Sequence, residues 1–83
     1  MNSSKIIHSA KLSYYDWSEN SDKFYNLEIK ERDGEYYVNA RYGRQGSYGT
    51  TSEKAYRVDY PTAMKAYQKT LASKIKKGYV ECK

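Results

Sequence analysis

The sequence predicts an α+β fold, a small antiparallel β-sheet with one C-terminal helix packed on one face. Three observations lead there. Asp33-Gly34 separates two strand-like runs, residues 23–32 and 35–44. Further on, Ala63, Met64, Tyr67, Leu71 and Ile75 recur at helical spacing. With 83 residues the chain suffices for one domain, 1–83, and is too short for two, so sheet and helix must share one small core.

The elements follow in order. Residues 1–5 read as a frayed start, too polar to anchor themselves. From His8 to Tyr14, one side carries His8, Ala10, Leu12 and Tyr14 and the other Ser9, Lys11 and Ser13, the period of a half-buried strand. Asp16 to Asp22 is a polar loop of turn-forming residues. Its Trp17 reads as a cover for the end of the core, the alternative being a ring that stacks on a base. Asp-Gly between strands signals a two-residue turn with left-handed backbone, which sets the hairpin register. Ile29 then faces Val38, Leu27 faces Ala40 and Tyr25 faces Tyr42 on the core side. Asn26 opposite Arg41 and Glu28 opposite Asn39 occupy the polar side.

At the open end of that hairpin Lys23 falls opposite Arg44, beside Tyr25 and Tyr42. Directly opposed like charges cost about 0.2–1 kcal/mol. Either both side chains splay into water or they converge on an anion. Gly43, Gly46 and Gly49 then make a tight loop that needs positive dihedrals or close backbone approach. No Gly-Lys-Ser/Thr follows, so this is not a phosphate-cradling P-loop. Tyr48 at its tip is expected to be exposed. Residues 50–57 return as a strand, Asp59 suits an N-cap with Pro61 in the first turn, and Gly78 is a natural stop. Lys65, Lys69, Lys76 and Lys77 read as a solvated basic face.

Composition narrows function. Tyr supplies 11 residues, and its rings bury flat faces while the hydroxyl reaches water, which suits a thin core. Fifteen Lys and Arg against ten Asp and Glu give a net charge of +5, favouring an anionic partner, nucleic acid or an acidic protein. Cys82 is the only cysteine, which excludes an internal disulfide and a cysteine-cluster metal site and fits a reducing, cytoplasmic setting. No apolar stretch is long enough to span a bilayer. His8 reads as a packed or rim histidine, and no nucleophile–base pair or metal-ligand cluster stands out. No catalytic residue, metal or cofactor is expected, and a monomer is.

Three segments together, Asn20-Ser21-Asp22-Lys23-Phe24-Tyr25, Tyr42-Gly43-Arg44-Gln45-Gly46-Ser47-Tyr48-Gly49-Thr50 and Lys74-Ile75-Lys76-Lys77-Gly78-Tyr79, resemble the WGR domain in order and spacing. The resemblance covers residues 10–81. It implies an antiparallel sheet with one packed helix. In eukaryotic poly(ADP-ribose) polymerases the domain binds DNA at breaks, near a 5′ end, and relays this to a separate catalytic region; bacterial relatives are often small proteins. Tyr42 stands where the family's namesake Trp packs on the terminal sugar, and Arg44 where its Arg contacts DNA or neighbouring domains. The loop near DNA in relatives corresponds to Asn20, Asp22 and Lys23, with Asp22 in place of a frequent Asn. The candidate nucleic-acid-binding residues are therefore Asn20, Asp22, Lys23, Arg41, Tyr42, Gly43, Arg44 and Tyr48. A non-catalytic module that binds DNA ends or nicks is the function implied. A protein-interaction module using the same basic, aromatic surface on an acidic partner is the alternative.

Overall fold

A computed structural model describes residues 4–82. In chain order it contains β1 (Lys5–Asp16), β2 (Ser21–Arg32), β3 (Glu35–Arg44), β4 (Thr50–Val58), α1 (Tyr60–Lys76) and β5 (Val80–Glu81). The five strands form one antiparallel sheet in the order β4-β3-β2-β1-β5. The α+β architecture anticipated from the sequence is the one observed. Of the stretch expected to be frayed, Met1 to Ser3 lie outside the described residues. Lys5, by contrast, already belongs to β1, because its backbone pairs with Glu31 of β2.

The β2–β3 hairpin has the register that Asp33-Gly34 dictates. Both turn residues have positive φ, 53° and 80°, the backbone of a turn whose twist matches the flanking strands. Ile29 pairs with Val38, Leu27 with Ala40, Tyr25 with Tyr42 and Lys23 with Arg44. One face of the sheet thereby collects Ala10, Leu12, Tyr25, Leu27, Ile29, Val38 and Ala40, which α1 covers with Ala63 and Tyr67. Leu12, Leu27, Ile29 and Val38 are almost fully removed from solvent, and each such side chain stabilises the fold by about 1.5–3 kcal/mol.

The helix starts and stops as its termini suggest. The Asp59 carboxylate accepts from the Thr62 N–H at 3.0 Å, and Pro61 lies in the first turn. At the other end the Gly78 N–H donates to Ile75 and the Tyr79 N–H to Lys74, with Gly78 at φ 111°. This paired closure turns the chain back under the helix. One part of the predicted stripe departs: Ile75 is 45% exposed, and Lys74 is the residue that turns inward. By then α1 has passed the aliphatic core and lies over tyrosines, which accept a long alkyl stem with a charged tip better than a second branched aliphatic. Strand β5, two residues at the β1 edge, went unread because so short a run has no periodicity. No described helix is long and apolar enough to cross a membrane.

The glycine loop is built on close approach. A Cβ at Gly43 would meet the Gly49 Cα at 3.0 Å, and one at Gly49 would lie 2.6 Å from the Tyr42 carbonyl oxygen and 2.7 Å from the Phe24 ring. Gly49 also has φ 89°. Gly46 shares that φ, yet nothing lies within 4 Å of its would-be Cβ. Gly46→Ala should therefore cost about 1–2 kcal/mol from backbone strain alone, whereas Gly49→Ala adds a clash with backbone and should cost clearly more. Urea unfolding midpoints of the two variants check this; equal losses would mean that the loop does not pack as described.

Candidate nucleic-acid interface

Two loops meet at the end of the sheet away from the Asp-Gly turn. They are the β1–β2 turn at residues 17–20 and the glycine loop at residues 45–49. Backbone bonds tie the glycine loop to β2. The Gln45 N–H donates to the Asp22 carbonyl at 2.8 Å, and its side-chain amide donates to the Lys23 carbonyl at 3.3 Å. The Ser47 N–H and hydroxyl both donate to the Arg44 carbonyl, at 3.0 and 2.6 Å. Lys23 and Arg44 are thus held opposite each other, on the face that carries the helix, just beyond its C-terminal end.

A hollow of about 330 Å³ opens there, lined by Ser21, Asp22, Lys23, Tyr42, Gly43, Arg44 and Tyr79. Tyr42 and Tyr79 are its aromatic lining, backed by further rings. Tyr25 and Tyr42 stack with centroids 5.3 Å apart and planes 15° from parallel, Tyr79 meets Tyr25 edge-on at 6.1 Å, and Tyr14 meets Tyr79 at 5.3 Å. The Lys23 ammonium lies 5.9 Å from the Tyr14 ring centre. Neither Lys23 nor Arg44 has a carboxylate partner among the described residues, where ion pairs join Lys30 to Glu28 and Arg57 to Glu35. Two unpaired cations at directly opposed positions give the hollow a positive field. Asp22 alone among its lining residues opposes that field.

Lys74 adds a third cation behind the wall, 4.6 Å from the Tyr25 ring centre and 6.0 Å from that of Tyr79. Burial lowers its pKa, and the neighbouring charges of Lys77 and Lys54 act in the same sense. Tyr25 and Tyr79 are shifted upward, in both cases chiefly by burial. Tyr14 is raised first by the adjacent Asp16 carboxylate, whose own value is lowered by hydrogen bonds from Ser18.

Not all residues expected at the interface come together. Asp22, Lys23, Tyr42, Gly43 and Arg44 line the hollow. Asn20, exposed in the β1–β2 turn at φ 52°, lies outside that lining. Arg41 and Tyr48 fall on the uncovered face, because alternation along β3 sends Arg41 to the side opposite Tyr42. There the Arg41 guanidinium lies 5.8 Å from the Phe24 ring centre and 5.1 Å from that of Tyr48. Tyr48 is 74% exposed, as its place at the loop tip suggests. Trp17 does not cover the core: it is 85% exposed, with only an edge contact to Tyr15. The chain has already left the sheet at Asp16, and Tyr14, Tyr79 and the helix end close that end of the core instead. His8 is a rim histidine, its Nε2 3.2 Å from the Tyr60 hydroxyl. Tyr79 and Lys74 were missed as site residues; their signal was the glycine stop, which returns the following residue to the sheet. No group of three or more described His, Cys, Asp or Glu residues could hold a metal ion.

Fold and site together define a small sheet-and-helix module whose cations and tyrosines gather at one end. The chain belongs to the WGR family, whose domain model matches residues 8–83, and WGR domains are modules of the nucleic-acid-binding type. Comparison with curated proteins and with solved structures finds no match.

The Tyr25 hydroxyl tests the packing of the wall. Tyr25 is 2% exposed and its hydroxyl is buried with no hydrogen-bond partner among the described residues. An unsatisfied buried hydroxyl costs about 1–3 kcal/mol. Tyr25→Phe keeps the stack and the Lys74 contact and should raise the urea midpoint, by about 1 kcal/mol in stability. A lowered midpoint would mean that this hydroxyl is bonded in solution.

Proposed function

We propose that the chain is a non-catalytic module that binds DNA ends or nicks, with the terminal phosphate in the hollow between Lys23 and Arg44. The carrying observation is the juxtaposition itself: two cations without carboxylate partners among the described residues, directly opposed across β2 and β3. Their mutual repulsion is relieved when an anion enters, so phosphate binding recovers a cost built into the hairpin. Arg44 supplies a planar fork of donors and Lys23 a point charge. Tyr42, whose ring is half-buried at the lip, packs on the terminal sugar as the family's Trp does, with a smaller face. Gly43, beside it, makes room for the glycine loop that closes over this end of the sheet. Asn20, outside the hollow, meets the DNA beyond the phosphate from the turn, and the exposed helix lysines add attraction without sequence preference.

A terminal phosphate fits this geometry better than an internal one. Tyr79 lines the hollow with Tyr25 and Lys74 packed against it, which supports entry of a chain end from the opposite side. Lys74 has its stem buried and adds charge from behind rather than a contact. The one exposed thiol, Cys82, suits a reducing compartment, and we place this binding in the cytoplasm.

The test is titration of a 5′-phosphorylated nicked duplex against an intact duplex at two salt concentrations. We expect preference for the nick. Arg44→Ala should weaken nick binding about tenfold, as loss of a charge-assisted contact does, and reduce the salt slope by about one. Asp22→Asn should tighten binding by removing the opposing carboxylate. Equal binding of nicked and intact duplex, with all binding lost in moderate salt, would leave only generic basicity.

A further inference from the structure

The glycine loop separates two hollows. One is the phosphate hollow on the helix side. The other, of about 340 Å³, lies on the uncovered face, and its lining includes Lys11, Phe24, Asn26, Arg41, Gln45 and Ser47. Its size lies in the range of small-ligand sites, about 300–1,000 Å³. We propose that this second hollow holds an unpaired nucleotide of a single-stranded DNA extension, an inference that rests on the reading of the first hollow as the site of the DNA end.

Register places the key groups in one row. Lys11 pairs with Asn26 and Asn26 with Arg41, so two cations flank an amide across three strands. Strand spacing sets their backbones about 10 Å apart, with Asn26 between them. Neither is ion-paired among the described residues, and no acid lines this hollow. Asn26 offers both donor and acceptor to the edge of a base, and Gln45, whose amide donates to the Lys23 carbonyl, adds its acceptor oxygen. The stacking surface is already assembled. Tyr48, exposed beside this hollow, offers a ring face with the Arg41 guanidinium 5.1 Å from its centre, and base stacking on aromatic or guanidinium planes tolerates any sequence. Phe24 is itself kept in place by the glycine loop folded over it, with a Gly49 Cβ excluded by the ring at 2.7 Å.

The neighbouring part of this face shares that row. A larger hollow of about 750 Å³ is lined by Lys11, Asn26, Arg41 and Tyr48 as well as by Glu28, Lys30 and Glu53, with Glu28 paired to Lys30. The Lys11–Arg41 row thus borders both hollows. At the loop end of the same face, Tyr15 and Trp17 form an exposed edge-to-face pair, which extends the aromatic surface toward the phosphate hollow. An acidic peptide would also meet the cations, but an exposed ring beside amide donors and acceptors suits the flat face and polar edge of a base, and the occupant is a nucleotide.

The experiment compares a blunt 5′-phosphorylated duplex, the same duplex with a three-nucleotide unpaired extension, and a short 5′-hydroxyl oligothymidine, by fluorescence anisotropy with the full chain. The extension should tighten binding about tenfold, the effect of one stacked base. Arg41→Ala or Tyr48→Ala should bring the ratio of extended to blunt binding to about one. Arg44→Ala should weaken both duplexes and preserve the ratio. Blunt binding with no gain from the extension would overturn this inference and leave the end-binding reading intact. Conversely, oligothymidine binding that Arg41→Ala abolishes, without any blunt-end binding, would support the second hollow and overturn the first reading. Hexaglutamate binding that depends on Arg41, with none for oligothymidine, would overturn the inference in favour of an acidic protein.

Discussion

The pairing of β2 with β3 is the constraint on which the rest depends. Two left-handed turn residues, Asp33 and Gly34, set it, and each step away from them is forced by the two-residue period of a strand. Ten residues on, at the far end, that register sets Lys23 beside Arg44. A slip of one residue would send Leu27 and Ile29 into water and separate the two cations in the same movement. Core stability and the charged hollow are therefore enforced by one alignment.

The end that carries the charge is stiffened by other means. It has no aliphatic core, so tyrosines provide the mass, a Lys74 stem fills the gap under the helix, and glycines allow the loop to lie directly on β2. Burial of rings with polar tips keeps the wall rigid while leaving one side wet. A Tyr25 hydroxyl without a partner among the described residues is what that compromise leaves.

Much of this was legible in the sequence, and the limits have physical causes. Asp33-Gly34 and the alternation around it specify the hairpin, and Asp59 and Gly78 mark the helix ends, because each depends on a local backbone preference. Lys74 and Ile75 exchanged roles because a helical stripe does not reveal where the core beneath it ends. Trp17 stands in solvent since composition cannot say which of several aromatics closes an end; Tyr14 and Tyr79 do so here. Arg41 and Tyr48 stand in the candidate set with Arg44, although the alternation already puts Arg41 on the polar side with Asn26. Parity along β3 outweighs proximity, and it divides the basic residues between two faces.

The central claim is that the opposed pair Lys23 and Arg44, walled by tyrosine, receives the terminal phosphate. Amide chemical-shift mapping with a 5′-phosphorylated duplex tests it most directly. The account predicts the largest changes at Lys23, Tyr42, Gly43, Arg44 and Tyr79, diminished when the phosphate is replaced by a hydroxyl. Changes concentrated on the exposed helix lysines, and indifferent to that phosphate, would contradict it.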